Sequence, residues 1–196
     1  MPELIVEPIV GHAILDHCEA LAELRIRVFR EWPYLYDGSP EYERDYLENY
    51  SRSAHGIIVI AREGRKVVGV STGLPLCEAN AEFQVAFQGT DYAIGEIYYF
   101  GESVLLPEYR GRGLGHAFFE HREAKARAYG ACYAAFCAVQ REYNDPRRPE
   151  DYRPLDPFWT RKCFKHEPHI RASLSWREID QSVDSLNSLS FWIKKL

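Results

Sequence analysis

Residues 105–115 decide the fold, and they read Leu105-Leu106-Pro107-Glu108-Tyr109-Arg110-Gly111-Arg112-Gly113-Leu114-Gly115. The stretch predicts the end of a strand, then a glycine-rich turn, then a helix with apolar residues at helical spacing. The three glycines leave out Cβ atoms where backbone N–H groups would crowd around an anion. A helix that begins there also presents unpaired N–H donors and the positive end of its dipole. We therefore predict a phosphate-binding turn with a diphosphate as its ligand.

The spacing of these glycines argues against two other nucleotide-binding motifs. A P-loop requires Gly-x-x-x-x-Gly-Lys-Ser/Thr, and no Lys-Ser or Lys-Thr pair follows the glycines. A dinucleotide fingerprint that starts at Gly111 and Gly113 has His116 where its third glycine belongs. The later strand around Phe136 also lacks the acid that such a site needs. A nucleotide-dependent oxidoreductase is therefore disfavoured.

The pattern that remains is Arg110-x-x-Gly113-x-Gly115 after an apolar-x-Pro element. It resembles the coenzyme A loop of the GNAT superfamily of N-acyltransferases, and the resemblance extends over residues 95–139. It implies one α/β domain, residues 1–196, with a mixed, mostly antiparallel sheet, helices on both faces, and splayed fourth and fifth strands. The implied reaction is direct transfer of acetyl from acetyl-CoA to a primary amine of a small molecule or peptide. The implied coenzyme-binding residues are Leu105, Leu106, Arg110, Gly111, Arg112, Gly113, Leu114 and Gly115.

Hydrophobic periodicity predicts an order of elements that agrees with this fold. Gly101 interrupts the strand before the turn and predicts a bulge that splays this strand from the next. Residues 77–88 are ambiguous between helix and loop, and the proline-rich residues 140–157 predict a loop. One predicted helix is capped by Asp16, a second starts near Pro40, and two more cover 114–129 and 158–164, while residues 180–188 predict a polar connection. The predicted strands are 4–10, 56–61, 66–76, 95–106, 131–139, 169–176 and 190–195.

Composition limits the partners and the location. A chain of 196 residues with a net charge of −5 and no basic stripe is not expected to bind nucleic acid. The sequence also shows neither a signal peptide nor the roughly 20 apolar residues of a membrane span. The five cysteines are irregularly spaced and Cys163, His166 and His169 lack a fourth ligand, so we predict neither disulfides nor a metal site. We expect a cytoplasmic protein without a membrane partner, and the apolar residues 189–196 leave a homodimer open.

Amide formation from a thioester requires a base for the attacking amine and donors for the carbonyl oxygen. Glu96 and Glu102 lie on the strand that resembles the base-bearing strand of the family. Their even spacing puts both on one face of a regular strand, and Glu102 is the first choice because it is nearer the turn. A bulge at Gly101 would instead favour Glu96, and either acid can serve to pair an arginine. The backbone N–H groups of Leu105 and Leu106 are the expected carbonyl donors.

The proton for the leaving thiolate is where the sequence departs from the family pattern. The family has an aromatic residue, usually tyrosine, followed at a distance of four and five by Gly-Phe, and here Trp159 and Cys163 stand at the tyrosine and glycine positions. An indole N–H donates hydrogen bonds but is not a practical acid. Tyr152 is therefore the candidate acid, with Tyr143 and water as alternatives. Asn144 resembles the asparagine that contacts the coenzyme in the family.

The acceptor side of the site leaves alternatives open. The aromatic residues within 32–36 either line an acceptor pocket or join the first two helices. The acidic residues within 41–48 either attract a cationic amine or form a solvated helix face. Because Trp159 replaces the expected acid, the alternative function is a non-catalytic acyl-CoA-binding sensor.

Overall fold

The computed structural model describes residues 3–196, in which eight strands form one mixed sheet. The strands are β1 (Leu4–Ile9), β2 (Ile57–Glu63), β3 (Lys66–Pro75), β4 (Ile97–Tyr99), β5 (Ser103–Leu105), β6 (Tyr133–Val139), β7 (Lys165–Arg177) and β8 (Asp184–Lys195). Their order is β1-β2-β3-β4-β6-β8-β7, and β5 pairs with β3. The pairs are antiparallel except for β4 with β6. The helices are α1 (Cys18–Phe29), α2 (Pro40–Arg52), α3 (Ala81–Val85), α4 (Leu114–Tyr129) and α5 (Asp156–Arg161).

Helices cover both faces of this sheet. Successive residues of β4 point to opposite faces. Tyr98 faces Tyr129 of α4, with ring centroids 6.0 Å apart, whereas Tyr99 faces Phe83 of α3 at 4.7 Å. The predicted fold class, a mixed and mostly antiparallel sheet between helices, is therefore confirmed. The boundaries of a single domain at residues 1 and 196 stay a prediction, and residues 1 and 2 lie outside the described part of the chain.

Local signals fix the helices that border the site. Ser39 caps α2 by accepting a hydrogen bond from the Tyr42 N–H at 3.2 Å, and Pro40 occupies the first helical position. Glycines in the left-handed region stand at both ends of α4, Gly113 with φ +83° and Gly130 with φ +90°. These glycines start α4 immediately after the turn and end it before β6.

Some element boundaries differ from the predictions. Asp16 lies in the 3₁₀ turn Gly11–His17 rather than at a helix cap, and α1 begins at Cys18. The predicted strand 95–106 is divided into β4 and β5. The connection predicted at 180–188 is shorter, because β8 begins at Asp184 and pairs with β7 along its polar start. Backbone pairing in this long hairpin overrides the low strand propensity of the polar side chains.

The terminal strand is committed to the chain's own sheet. β8 lies between β6 and β7 and pairs with both of them. Residues 189–195 therefore have no free strand edge for a second copy of the chain. A homodimer through another surface stays a prediction.

Candidate active site

The glycine turn leaves its backbone N–H groups open to a ligand. Within residues 3–196, no backbone carbonyl accepts a hydrogen bond from the N–H groups of residues 111–115. Gly113, the residue that caps α4, has no side chain that could satisfy them instead. The turn thus presents a set of unpaired donors at the start of a helix, which is the arrangement that binds phosphate.

The two arginines of the turn have partners within the protein. The Arg110 guanidinium is 2.8 Å from a Glu31 carboxylate oxygen and donates to the Leu105 carbonyl at 3.2 Å. The Arg112 guanidinium lies over the Tyr109 ring, 4.9 Å from its centroid. Both arginines are exposed at the edge of the turn. They place positive charge beside the N–H donors.

A gap opens between β5 and β6 in front of this turn. β4 pairs with β6, and the Phe100 N–H still donates to the Ala135 carbonyl at 2.8 Å. Beyond that bond, the next strand, β5, pairs with β3 and not with β6. The predicted splay of the fourth and fifth strands is therefore confirmed, with β4 and β5 as the two halves of the fourth strand.

The N–H groups that face the gap are only partly those that the sequence suggested. Leu106 is the exception, because its N–H donates to the Val68 carbonyl of β3 at 2.9 Å. Ladder bonds in an antiparallel pair alternate in direction, so the N–H groups of Ser103 and Leu105 point away from β3 and into the gap. The expectation that the Leu106 N–H binds the thioester is wrong. Ser103 and Leu105, and not Leu106, have the N–H groups that face the gap.

The bulge predicted at Gly101 lies where the fourth strand divides. Between their pairings with β3, the β4–β5 segment contributes one residue more than β3 does. A Cβ on Gly101 would lie 2.3 Å from the Tyr50 hydroxyl oxygen and 2.5 Å from Thr72 Oγ1. Glycine is therefore required here by close packing, and the bulge directs the next side chain, Glu102, toward α1 and α2.

Glu102 belongs to a buried row of four charges that alternate in sign. Arg25 of α1 forms ion pairs with both Glu102 and Glu43. On the opposite face of the sheet, Arg122 of α4 donates to the Glu102 main-chain carbonyl at 3.1 Å. The exposed fractions are 0% for Glu43, 1% for Arg122, 5% for Arg25 and 9% for Glu102. Charges this deeply buried are tolerated when each has an opposite charge or hydrogen-bond partners.

Both arginines of the row are cationic at neutral pH. Burial acts to lower the pKa of Arg25, but the nearby Glu102, Tyr46 and Glu43 raise it by more, so the pKa lies above its usual range. Burial lowers the pKa of Arg122 to about 9, against the opposing charge of Glu102. Glu102 therefore lies between two cations, with Arg25 at its carboxylate and Arg122 at its main-chain carbonyl.

Tyr46 connects Glu102 with the surface of the protein. Its hydroxyl donates to Glu102 Oε2 at 2.6 Å and is 2.7 Å from the Tyr50 hydroxyl. Burial, followed by the charge of Glu102, raises the pKa of Tyr46, so the hydroxyl is neutral at physiological pH. Tyr46 also lines a surface cavity of about 410 Å³. Other residues that line this cavity are Tyr42, Asp45, Asn49 and Asn80.

Glu96 lies apart from this centre. It is exposed in the 3₁₀ turn Ile94–Glu96, at the end of β4 that is remote from the glycine turn. Glu96 and Glu102 do not share one face of a regular strand, because a turn precedes β4 and the bulge expected at Gly101 follows it. Glu96 as the base stays a prediction.

Tyr152 and Asn144 lie in the loop between β6 and α5. The Tyr152 ring packs edge-on against Trp32, with centroids 6.1 Å apart, and the Arg148 guanidinium is 5.4 Å from its centroid. Burial, and then the charge of Asp156, raises the pKa of Tyr152, so its hydroxyl keeps its proton at neutral pH. Asn144 is exposed. The structure thus brings Tyr152 to the loop between α1 and α2 and leaves Asn144 on the surface.

Trp159 and Cys163, the two residues that depart from the family pattern, differ in their surroundings and conformation. Trp159 packs against Phe136 and Trp192, with ring centroids 5.0 and 5.1 Å apart, so it is part of the aromatic core. Cys163 has a φ of +66°, a left-handed conformation in which glycine is the usual residue. The position that corresponds to the glycine of the family pattern therefore has a backbone that favours glycine, although the residue is cysteine.

The loop between α1 and α2 is tied to the other side of the site. Arg141 donates to the carbonyls of Pro33 at 2.7 Å and Tyr34 at 3.0 Å, and it forms an ion pair with Glu178 at 2.7 Å. Burial raises the pKa of Tyr34, and Cys137 and Glu102 raise it further. The indole N–H of Trp176 in β7 donates to the Tyr34 carbonyl at 3.2 Å, so this loop joins the helices to β7.

Sequence reasoning missed Arg25, Arg122 and Tyr46. The signal for the two arginines was present, because each is a charged residue at a buried position of a helical repeat. Arg25 follows Leu21 by four residues, and Arg122 follows Phe118 by four. Tyr46 gave no such signal, since its helical spacing is typical of a core residue.

The comparisons with known proteins agree with this geometry. Residues 18–149 match the sequence model of the Acetyltransferase (GNAT) family. Among solved structures, the chain is similar to an acetyltransferase from Streptococcus agalactiae (19% identity, TM-score 0.61, 98% of each chain covered). It is also similar to yncA from Salmonella typhimurium, solved with its cofactor acetyl-CoA (12%, 0.61, 99% and 94%), and to ribosomal-protein-alanine N-acetyltransferase from Brucella melitensis (14%, 0.61, 98% and 99%). A search of curated proteins returned no match.

The chain belongs to the Acetyltransferase (GNAT) family, because the family model covers well over half of it. It is therefore an acyl-CoA-dependent acetyltransferase with acetyl-CoA as the acyl donor, rather than a non-catalytic sensor. Among the described residues, no helix is long and apolar enough to cross a membrane. The same residues contain no group of three or more His, Cys, Asp or Glu side chains placed to hold a metal ion.

Proposed function

We propose that the protein is an N-acetyltransferase that transfers acetyl from acetyl-CoA directly to a primary amine of a small molecule or a peptide. The observation that carries this proposal is the gap between β5 and β6 together with the residues at the two ends of β5. The open N–H groups of residues 111–115 follow β5 along the chain, and Glu102, with its buried carboxylate, directly precedes it. A diphosphate at the turn and a thioester near the bulge would lie along one path.

The backbone would hold the donor in this path. The N–H groups of residues 111–115 bind the diphosphate, with Arg110 and Arg112 adding positive charge at the rim. The N–H groups of Ser103 and Leu105 face the gap, where they bind the pantetheine arm and polarise the thioester carbonyl. Asn144, exposed on the loop after β6, is a further proposed coenzyme contact. Binding energy far from the reacting carbon thus fixes the geometry of transfer.

In the proposed step, the amine nitrogen attacks the thioester carbonyl carbon, and the carbon–sulfur bond then breaks. The amine proton passes to Glu102 through the neutral Tyr46 hydroxyl, since Glu102 itself lies behind Tyr46. Tyr152, whose hydroxyl is protonated at neutral pH, donates a proton to the departing thiolate and regains one from solvent. The acetylated amine and coenzyme A are the products.

The acceptor is proposed to approach through the cavity beside α2. Tyr46 forms part of the wall of this cavity, which two acidic side chains, Asp45 and Glu48, and one basic side chain, Arg52, also line. A cationic amine is therefore favoured at its mouth over an acidic substrate. We also propose a cytoplasmic location, where acetyl-CoA would be available.

Calorimetric titration with acetyl-CoA, followed by an amine panel assayed by release of the coenzyme A thiol, tests the proposal. We expect saturable binding and thiol release with at least one class of primary amine. Binding without thiol release for every amine class would contradict it.

Glu102→Gln, with Glu43→Gln as a matched control, tests the base. Both variants remove a buried carboxylate that pairs with Arg25. We expect Glu102→Gln to lower turnover by about 10²- to 10⁴-fold with acetyl-CoA affinity retained. Glu43→Gln should lower thermal stability but leave turnover close to the unmodified enzyme. Equal turnover losses in the two variants would make Glu102 a structural acid.

A further inference from the structure

Arg122 is a buried cation whose role is not explained by an ion pair. It lies on α4 with 1% of its surface exposed, and among residues 3–196 no carboxylate lies within 4.0 Å of it. Aromatic rings cover its guanidinium, with the Phe100 centroid 4.4 Å and the Phe119 centroid 4.9 Å away. Burying such a charge is costly, so its hydrogen bonds must compensate for the loss of water.

Those hydrogen bonds converge on the bulge of the fourth strand. Nη1 donates to the Glu102 carbonyl at 3.1 Å and to the Thr72 carbonyl at 3.4 Å. Nη2 donates to Ser103 Oγ at 2.9 Å, and Nε donates to the Phe118 carbonyl of its own helix at 3.2 Å. Arg122 therefore contacts both strands at the point where their pairing is irregular.

The Glu102 carbonyl matters because of the peptide group to which it belongs. The Glu102 carbonyl and the Ser103 N–H are parts of one planar trans peptide and point in opposite directions. The carbonyl is held from β3 by the Thr72 N–H at 3.1 Å and from α4 by Arg122. Fixing the carbonyl in this way fixes the Ser103 N–H in the opposite direction, toward the gap.

Arg122 also changes the strength of that N–H as a donor. A cation at the oxygen of a peptide draws electron density from its nitrogen, and linked hydrogen bonds in a site of low dielectric reinforce one another. A bulge without such a clamp leaves its extra residue outside the regular ladder, where the peptide is free to change orientation.

We propose that Arg122 is a positioning residue that orients and polarises the Ser103 N–H toward the thioester carbonyl of acetyl-CoA. This inference rests on the proposed function, and it assigns a role to a side chain on the face of the sheet opposite Glu102. Arg122 touches neither substrate; it acts through the 102–103 peptide.

Acetyl-CoA labelled with ¹³C at the carbonyl provides the test, because its NMR signal reports hydrogen bonding to that oxygen and needs no amine acceptor. The variants are Arg122→Met and Arg122→Lys, with Arg127→Met as the control on the exposed face of the same helix. Affinity for unacetylated coenzyme A, measured by calorimetry, shows whether the turn and the fold are intact.

In the unmodified protein, we expect the bound carbonyl signal to move downfield from that of free acetyl-CoA. Arg122→Met should lose most of this downfield shift, Arg122→Lys should lose part of it, and Arg127→Met should keep all of it. Coenzyme A affinity should be similar in all four proteins. Turnover with an accepted amine should fall by about 10²-fold in Arg122→Met, in kcat rather than in the KM for acetyl-CoA, as for the loss of one oxyanion donor.

An unchanged carbonyl signal in a folded Arg122→Met that binds coenzyme A would overturn the inference and leave the proposed function standing. If Arg122→Met does not fold, Arg122→Lys becomes the test. A carbonyl signal in Arg122→Lys equal to that of the unmodified protein would then overturn the inference. If the unmodified protein does not bind acetyl-CoA, the proposed function fails and the inference fails with it.

Discussion

The glycine turn and the buried centre around Glu102 are built in opposite ways. The turn consists of neighbouring residues, 110–115, most of them exposed, and its open N–H groups follow from the local backbone alone. The centre brings together α1, α2, the bulge and α4, and nearly every charged group in it is hidden from water. The donors of the turn depend only on the conformation of neighbouring residues. The buried row of charges forms only when the helices and strands around it have packed together.

The two regions also differ in how they use charge. The turn presents partial positive charge at a surface, where solvent and salt weaken electrostatic interactions. In the centre, Arg25 is held between Glu43 and Glu102, so the loss of one partner leaves an unpaired buried ion. Substitutions in the turn should therefore act on ligand binding, whereas substitutions in the centre should act on stability, and at Glu102 and Arg122 on turnover as well.

Gly113→Glu should give the largest effect, because it places a carboxylate and a strained backbone in the turn. We expect acetyl-CoA affinity to fall by about 10²-fold or more, which corresponds to about 2.7 kcal/mol or more. Gly130→Glu is the matched control, since Gly130 has the same left-handed conformation at the other end of α4. Calorimetry should show near-normal affinity in the control, and equal losses in both variants would mean that helix strain, not the anion site, is responsible.

Gly101→Ala tests the buried centre in the same way, and we expect it to lower stability rather than ligand affinity. The added Cβ would meet the Tyr50 hydroxyl and Thr72 Oγ1 in closely packed surroundings. We expect a loss of about 1–3 kcal/mol in the free energy of unfolding, as for other overpacked cores. Gly95→Ala is the control, because a Cβ there has no atom within 4 Å. Thermal unfolding measures the stability of both variants. A Gly101→Ala protein as stable as the Gly95→Ala control would show that the bulge accommodates a Cβ without loss of stability.

Cys163→Gly should give the smallest effect. It tests whether glycine is the more stable residue at a position where a cysteine has a positive φ. A non-glycine residue in the left-handed conformation costs roughly 1–2 kcal/mol. Because glycine also gains freedom in the unfolded chain, we expect a net gain of about 1 kcal/mol, or about 2–4 °C in Tm. Calorimetric unfolding measures it, and a fall in Tm would mean that the Cys163 side chain makes a stabilising contact.

Particular residues show how far prediction from sequence reached. The bulge at Gly101, the hairpin between β2 and β3 and the start of α4 were predictable, because each depends on a glycine or a turn within a few residues. The position of Glu96 was not predicted, because the 3₁₀ turn Ile94–Glu96 replaces the start of the strand expected over 95–106. The Leu106 N–H was misassigned because the direction of a ladder bond depends on the register with β3, and register is a long-range property.

By itself, the sequence determined the glycine turn before α4, the order of strands and helices, and the family. These features depend on backbone conformation and hydrophobic spacing, which neighbouring residues encode. Only the tertiary structure decided that Ser103 rather than Leu106 faces the gap, that Glu102 is paired with Arg25, and that Arg122 clamps the bulge from the other face. Such contacts join residues far apart in the chain, and the energy of a buried charge depends on every group that surrounds it, which no local pattern specifies.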